Sequence, residues 1–398
     1  MRNRNHIYMT SEGFSFHTIE LKQVYSSSDK YNAAFSHLKK ISNQKEFYPL
    51  KEFDNICYFC GHFSKHGIRL YLTMKKAKKK KYRYSIKAVI NPRKLIDPDC
   101  SYLGIMPSDE KSLDQMEERF TEIMRKAGLP EFIDEWSLTR IDLCVNFVFN
   151  RKKLPQQMIQ LISRGPVPHS YNRDTYTIPA QANPNGEIHL EKHSVKLWNK
   201  RIALVAYDKA YQMEKEGLLP PPELGMEKRG VLRVELQCRR DWIAEQAAEH
   251  KCQTVREKLD YFSSHSRDYL CEYVDRLYLH GEYFRYDLLC SKIEATDSIK
   301  GKSKKRMLNF VNLLASCNDF DAAFQVISES LTEKQLEAMV KHFSELNIAP
   351  IPLMKKCKLK AIQSLPSILH EMDDCSFQKR FNRKKKYIFP LKYNICSE

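Results

Sequence analysis

The chain has 398 residues, of which 42% are hydrophobic, enough for two or three domains with buried cores. Its apolar runs fall well short of the ~20 residues that cross a bilayer. The N-terminus leads into no apolar signal segment, so we expect a cytoplasmic protein without membrane contact. The 66 Lys and Arg against 49 Asp and Glu leave a charge of +17, which favours nucleic acid as a partner over a lysine-rich surface without a ligand.

The 12 cysteines are scattered without the spacing of a disulfide framework, and we expect reduced thiols. A group of Cys57, Cys60, His62 and His66 has the residue types of a zinc site. The gap of one residue between the two pairs leaves no room for a zinc-finger fold, so ordinary strand and loop residues are the better interpretation.

The first 130 residues predict a mixture of strands and helices. An opening strand is expected at 13–21, a helix capped by Ser28 or Asp29 at 30–41, and strands near 47–60, 67–74 and 82–90. The loop 74–81 carries six lysines and is either a solvated turn or a finger that contacts phosphates. A helix capped by Ser112 is expected to run to Ala127, with Gly128 and Pro130 ending it.

The longest strand signal is the segment from Trp136 to Phe149. Because side chains of a strand alternate between its faces, Ile141, Leu143, Val145 and Phe147 share one face, and Arg140, Asp142, Cys144 and Asn146 share the other. We expect the first face to pack on helices and the second to carry chemistry.

A short helix is predicted at 155–164, followed by an irregular connection at 166–192. A hairpin of 194–198 and 201–209 then delivers Tyr207 at the polar end of an apolar strand. After a helix-like segment at 210–217 and a Pro-rich loop at 220–222, a strand at 230–240 repeats the two-faced pattern. Its polar face carries Arg233, Glu235, Gln237 and Arg239.

From Asp241 onward the sequence predicts helices, including one at 333–346 that opens on a capping box. The tail at 379–386 is rich in Lys and Arg interleaved with aromatic residues. It is typical of a nucleic-acid arm and equally of a solubilising tail.

Three polar strand faces suggest phosphoryl chemistry. Asp142 and Glu235 are oxygen ligands suited to Mg²⁺ or Mn²⁺, with Arg140 and Arg233 two residues away on the same faces. The simpler alternative is that each Arg pairs with its neighbouring acid or with a cross-strand partner. Tyr207 is a poor nucleophile at its ordinary pKa of ~10, and Lys209 is placed to stabilise its phenolate.

The order Thr139-Arg-Ile-Asp-Leu, Leu204-Val-Ala-Tyr-Asp-Lys and Val231-Leu-Arg-Val-Glu-Leu resembles the replication initiation proteins of rolling-circle replicons. The likeness is greatest to the gene II replication proteins of filamentous phages and their plasmid relatives, and it spans roughly 82–240. It also includes Ser85-Ile-Lys-Ala-Val-Ile-Asn-Pro-Arg-Lys-Leu95.

The resemblance implies a metal-dependent nick of one origin strand by Tyr207, which becomes joined to the 5′-phosphate and later rejoins the strand. It implies Asp142 and Glu235 as the acids that hold a divalent metal. The residues themselves suggest Lys209, Arg140 and Arg233 as catalytic helpers and Mg²⁺ or Mn²⁺ as the cofactor. The expected partners are single-stranded or hairpin origin DNA, a host helicase and a polymerase.

The chain departs from the family pattern at a few positions. Gln212 stands where relatives often have an acid, with Glu214 close by, and Asn146 stands where many have a second acid. The His-x-His pair of other nickases is missing, and His189 and His193 are interpreted as ordinary residues. Tyr211, four residues after Tyr207, shares a face with it if the segment is helical and would then offer a second nucleophile, whereas packing or base stacking is the favoured interpretation.

The fold class expected is therefore α+β. An N-terminal antiparallel-sheet nicking domain with helices on one face spans 1–240, and an all-helical C-terminal domain with a basic tail spans 241–398. The leading function is a DNA-nicking and DNA-joining replication initiator. The alternatives are a conjugative relaxase and a non-catalytic protein that binds origin DNA.

Overall fold

The computed structural model describes residues 7–52, 55–76, 82–174, 176–177, 188–189, 193–218, 229–317, 319–354 and 357–371. Three expectations therefore lie wholly or mainly outside the described residues: the tip of the lysine-rich loop (77–81), the Pro-rich loop 220–222 and the basic tail 379–386.

The strands are β1 Ile7–Tyr25, β2 Phe47–Glu52, β3 Asn55–Cys60, β4 Ile68–Lys76, β5 Tyr82–Ile90, β6 Ser137–Phe149, β7 Asn172–Arg173, β8 Tyr176–Thr177, β9 Ile188–His189, β10 Ser194–Trp198, β11 Ile202–Asp208, β12 Gly230–Arg239, β13 Glu282–Phe284 and β14 Ala361–Gln363. The helices are α1 Ser28–Ile41, α2 Pro92–Ile96, α3 Glu110–Ala127, α4 Leu154–Ser163, α5 Lys209–Lys215, α6 Arg240–Glu249, α7 Val255–Ser264, α8 Ser266–Leu277, α9 Tyr286–Glu294, α10 Gly301–Cys317, α11 Phe320–Ser330, α12 Glu333–Glu345 and α13 Leu365–Glu371.

Ten strands form one antiparallel sheet in the order β2-β3-β4-β5-β1-β6-β12-β11-β10-β7. Strand β12 lies between β6 and β11, so the three segments that carry the sequence motifs are direct neighbours. Their order in the sheet, β6-β12-β11, differs from their order in the chain, β6-β11-β12.

The two faces of the sheet differ in chemistry, as the alternation in the sequence predicts. One face, called the apolar face below, carries Ile141, Leu143 and Val145 of β6 with Val234 and Leu236 of β12, all fully buried. The opposite face, called the polar face, carries the Arg, Asp, Asn, Glu and Tyr side chains of the same strands.

Helices from both halves of the chain cover the apolar face. Helices α1, α3 and α4 contribute to one continuous hydrophobic core, and so do α6, α7 and α8, which contact β1, β6 and β12. The junction of the two expected domains at 240–241 falls where β12 passes directly into α6. Helices α6–α8 therefore complete the helical layer of the sheet.

A buried cation ties the later helices to α4. Arg164, which follows α4, donates to the carbonyl oxygens of Leu314 and Pro352 at 2.8 and 3.1 Å. Its own carbonyl accepts from the backbone N–H of Phe320 at 3.2 Å. Because an unpaired buried guanidinium is costly, these contacts fix α10 and α11 relative to the sheet.

The α+β fold with an N-terminal antiparallel sheet and a helical C-terminal region is confirmed, with local differences. The region expected as one strand at 47–60 is a hairpin of β2 and β3. Helix α3 begins at Glu110 and is capped by Asp109, whose side chain accepts from the Ser112 N–H, so Ser112 is not the cap. The C-terminal region also contains a small sheet of β13 and β14. Among the described residues, none of the helices combines the length and apolar character of a membrane span.

Gly230 sets the close approach of β12 to α4. A Cβ at Gly230 would lie 2.6 Å from Pro155 Cδ and 2.8 Å from the Lys152 carbonyl oxygen. Gly230→Ala is expected to lower the free energy of unfolding by about 1–3 kcal/mol, since neither neighbour is a flexible side-chain end. Urea denaturation monitored by circular dichroism measures the change.

Gly301→Ala is the matched control. A Cβ there meets nothing within 4 Å, and the residue opens helix α10. This variant should be neutral or slightly more stable, because alanine restricts the unfolded chain. Equal stability of the two variants would contradict the close packing of β12 on α4.

Candidate active site

Tyr207 is the penultimate residue of β11, and its side chain lies on the polar face of the sheet. Its hydroxyl donates a hydrogen bond of 2.7 Å to Oε1 of Glu235 on the neighbouring strand β12. The ring is partly exposed and the Glu235 side chain is almost fully buried. A protonated phenol therefore faces a carboxylate that can accept its proton.

Arg233 lies directly opposite Tyr207 in the β11–β12 pair, and Asn146 lies directly opposite Arg233 in the β12–β6 pair. The guanidinium is fully buried, donating from Nε to Asn146 Oδ1 at 2.7 Å and from Nη2 to the Leu103 carbonyl oxygen at 2.9 Å. Asn146 donates to the same carbonyl at 2.7 Å. A fixed cation therefore lies across the strand from the phenol.

These neighbours act on the pKa of Tyr207 in opposite directions. Burial raises this pKa well above its usual value, the negative charge of Glu235 raises it further, and the positive charge of Arg233 lowers it. Burial therefore keeps the phenol protonated, while the nearby positive charge of Arg233 would stabilise a phenolate.

Asp142 and Arg140 form a bidentate ion pair on β6. The two guanidinium nitrogens Nε and Nη2 donate to Oδ1 and Oδ2 of Asp142, each at 2.7 Å. Arg140 Nη1 also contacts Glu20 of β1 at 3.4 Å, and Glu20 contacts Lys87 of β5 at 3.6 Å. Arg140 thus pairs with its neighbouring acid and its cross-strand partner, as the simpler interpretation of the sequence expected.

Burial raises the pKa of Asp142 to about 7, although the Arg140 charge works against the shift. The ion pair with Arg140 therefore favours the ionised form of a carboxylate that burial disfavours. Arg140 therefore acts on the site through Asp142.

Lys209 contributes a second cation near Tyr207, in a different setting from the one the sequence suggested. It is the first residue of helix α5, not a residue of the strand. Its ammonium lies 5.9 Å from the centroid of the Tyr207 ring and donates to Gln212 Oε1 at 3.0 Å. Burial, with the charge of Arg233 next in effect, lowers its pKa to about 8.

His17 is a site residue that sequence reasoning missed. Its Nδ1 lies 3.8 Å from Glu235 Oε1, and it is brought there by an irregularity of β1 between Phe16 and Thr18. Burial, with Arg233 next in effect, holds its pKa well below the usual value, so the imidazole is neutral. The signal was present in the spacing of Phe16 and Ile19, both fully buried yet three residues apart, which breaks the two-residue period of a regular strand.

Asp142 and Glu235 are the acids that the sequence predicts as ligands of a divalent metal. Within the described residues, no group of three or more His, Cys, Asp and Glu side chains is arranged to hold a metal ion. Mg²⁺ commonly uses one or two carboxylates and completes its shell with water and substrate phosphates. Both oxygens of Asp142 accept from Arg140, and Oε1 of Glu235 accepts from Tyr207, so a metal held by these two acids would compete with Arg140 for Asp142.

The positions that depart from the family pattern have structural partners. Gln212 accepts from Lys209, Glu214 pairs with Lys152, and Asn146 holds Arg233. Tyr211 lies in α5, where its ring stacks on that of His193 with centroids 3.4 Å apart. Tyr207 lies in β11, so the two tyrosines do not share a helical face, and the ring of Tyr211 packs on His193.

The pKa of Tyr207 is expected to fall in a Glu235→Gln variant, because the variant removes a negative charge beside the phenol. NMR titration of protein labelled with ¹³C at tyrosine Cζ measures this, with Tyr207→Phe assigning the resonance. Glu245→Gln is the control, since Glu245 pairs with Arg201 on the surface. An unchanged pKa in Glu235→Gln would contradict the hydrogen bond described here.

Comparison with known proteins adds no family assignment. None of the protein-family models matches the chain, and none of the curated proteins does. The likeness to rolling-circle initiation proteins therefore stays a prediction from the short motifs around Asp142, Tyr207 and Glu235.

Proposed function

We propose that this protein is a replication initiator that nicks one DNA strand at an origin and later rejoins it, using Tyr207 as the nucleophile. The observation that carries the proposal is the 2.7 Å hydrogen bond from the Tyr207 hydroxyl to Glu235, with the buried Arg233 in the adjacent cross-strand position. A nucleophilic tyrosine requires a proton acceptor and a cation, and both are supplied by β12.

The proposed reaction is a transesterification. The Tyr207 oxygen attacks the phosphorus of a phosphodiester while its proton passes to Glu235. The bond from phosphorus to the 3′ oxygen breaks, and that oxygen takes a proton from solvent. The products are a free 3′ hydroxyl and a 5′-phosphotyrosine link, which keeps the ester energy so that a 3′ hydroxyl can reverse the step.

Arg233 and Lys209 favour this reaction because negative charge develops on the phenol oxygen only as its proton leaves. A fixed cation therefore stabilises the transition state more than the resting phenol. Arg233 is held by two acceptors before substrate arrives, so little reorganisation accompanies the reaction. Arg140 keeps Asp142 in place.

Mg²⁺ or Mn²⁺ held by Asp142 and Glu235 would polarise a phosphoryl oxygen of the DNA. The net charge of +17 supports a polyanionic substrate. Origin DNA, in single-stranded or hairpin form, is the proposed substrate. A host helicase and polymerase in the cytoplasm are the proposed partners.

Two other functions fit parts of the same surface. A conjugative relaxase would use the same chemistry on a transfer origin. A non-catalytic origin-binding protein would use the positive charge alone. Such a function does not explain why the Tyr207 hydroxyl donates to Glu235 while the buried Arg233 lies in the adjacent cross-strand position. Incubating supercoiled plasmid that carries the cognate origin with the protein separates the catalytic proposals from the last one.

Tyr207→Phe is expected to abolish covalent attachment to a nicked origin plasmid, since it removes the attacking oxygen while keeping the ring. Protein that remains on the DNA in denaturing gels is the measurement. Tyr211→Phe is the matched control and should retain attachment, because Tyr211 lies in α5 and stacks on His193. Attachment by Tyr207→Phe at the wild-type level would show that another residue is the nucleophile.

Glu235→Gln is expected to lower the nicking rate by about 10²-fold or more, the scale of losing a general base. Asp142→Asn is expected to lower the rate as well, because it weakens the hold on the metal. EDTA should stop nicking by the wild-type protein, and added Mg²⁺ or Mn²⁺ should restore it. Salt-dependent DNA binding should persist in both variants, as a gel-shift assay would show. Full activity in EDTA would remove the metal from the proposal and leave the role of Glu235 as proton acceptor intact.

A further inference from the structure

A row of aromatic side chains lies on the polar face of the three strands at one edge of the sheet, β2, β3 and β4. Tyr48 of β2 pairs directly with Phe59 of β3, and Phe59 pairs directly with Tyr71 of β4. Successive ring centroids lie 5.1 and 5.4 Å apart. This row, Tyr48–Phe59–Tyr71, is called the aromatic row below.

Side-chain contacts connect the aromatic row to the site. The ammonium of Lys87 lies 5.0 Å from the Tyr71 ring centroid and 3.6 Å from Glu20 Oε2. Glu20 in turn contacts Arg140, the partner of Asp142. The aromatic row and the site therefore lie on one face of one sheet, in an unbroken series of contacts.

The aromatic row is not part of the hydrophobic core. The same strands supply the core with other rings on the apolar face, where Phe47 and Tyr58 pack with Phe35 of α1. By contrast, Tyr48 is 40% exposed, and Phe59 and Tyr71 are partly exposed. Cross-strand aromatic pairs stabilise a sheet modestly, and exposed rings also offer flat apolar surfaces to a ligand.

Positive charge surrounds the aromatic row. Side chains on the same face of β4, β5 and β1 include Arg69, Lys75, Arg83, Lys87 and Lys22. The acid among them, Glu20, is already paired with Lys87 and Arg140. A polyanion would thus meet cations, with the nearby carboxylate neutralised.

We propose that the aromatic row and these cations bind single-stranded DNA, with bases stacked on the rings and phosphates near the cations. The DNA then leads across β5, β1, β6 and β12 to Tyr207. Five strand spacings separate β4 from β11, or roughly 24 Å at about 4.8 Å each, a distance that a few nucleotides can cover. Stacking tolerates any base, so the surface would hold the strand without reading its sequence. The proposal rests on the proposed nicking function for its direction toward Tyr207.

The test measures binding of fluorescently labelled oligo(dT) of about 16 nucleotides by anisotropy, using the full chain. The double variant Tyr48→Ala with Tyr71→Ala is expected to raise the Kd about tenfold, the scale of losing one stacked base. The double variant Tyr48→Phe with Tyr71→Phe keeps the rings and should bind like wild type. Phe132→Ala is the control, since Phe132 is 62% exposed and lies outside the sheet.

A second variant keeps the test decisive if the double alanine variant does not fold. Arg69 is exposed beside the aromatic row. Arg69→Gln should make the dependence of log K on log salt shallower by about 0.7, the value for one phosphate contact on a single strand. An unchanged slope would overturn the role of this cation and, with it, the proposed track.

Other outcomes separate this proposal from the nicking function. Unchanged oligo(dT) affinity in the alanine variant, or equal weakening toward a duplex of the same length, overturns the single-strand surface. If Tyr207-dependent attachment to origin DNA persists in that case, the nicking proposal stands. If the alanine variant loses oligo(dT) affinity while no origin DNA is nicked by wild type, the surface stands and the nicking proposal fails.

Discussion

The register of three strands fixes the geometry of the candidate site. Tyr207, Arg233 and Asn146 are direct partners across β11, β12 and β6. Next to this row, Ala206, Val234 and Val145 pair in the same way on the apolar face and are fully buried. A slip by one residue would turn the buried apolar side chains toward the polar face and the charged ones toward the core. Burial of the apolar face thus fixes the position of Tyr207 relative to Arg233.

Charge burial is the second constraint on the polar face. Arg233 has no exposed surface and Asp142 is 1% exposed, positions that are costly for charged groups. Each is compensated by specific hydrogen bonds: Arg233 by Asn146 and the Leu103 carbonyl oxygen, and Asp142 by Arg140. Burial strengthens every remaining electrostatic interaction with the phenol. The same burial that makes these charges costly for stability therefore increases their effect on the Tyr207 oxygen.

Local patterns of the sequence predict much of this arrangement. The alternation in β6 and β12 separates the two faces, and the polar end of β11 singles out Tyr207. The placement of β12 between β6 and β11 is a long-range property that periodicity does not encode. Likewise, the sequence gives no sign that the Leu103 carbonyl oxygen would hold Arg233, since 130 residues separate them. Arg233 as the cation opposite Tyr207 follows from pairing, whereas proximity in sequence pointed to Lys209.

The residues that β1 contributes to the site also depend on long-range pairing that local sequence patterns do not encode. Glu20 and His17 reach the site because β1 is the neighbour of β6, and a register shift turns His17 toward Glu235. The irregular apolar spacing between Phe16 and Ile19 indicates a bulge, but only the pairing of β1 with β6 shows that the bulge places His17 near Glu235. The cross-strand aromatic row likewise becomes visible only when β2, β3 and β4 are aligned.

The role of Tyr207 as nucleophile is tested by locating the residue that carries DNA after reaction with an origin plasmid. Trypsin cleaves after Arg201, Lys209 and Lys215, so Tyr207 and Tyr211 fall in separate peptides, 202–209 and 210–215. Nuclease and trypsin digestion followed by mass spectrometry should find the phosphonucleotide mass on the peptide 202–209. Its presence on the peptide 210–215, or on neither peptide, would contradict the assignment of Tyr207 as the nucleophile.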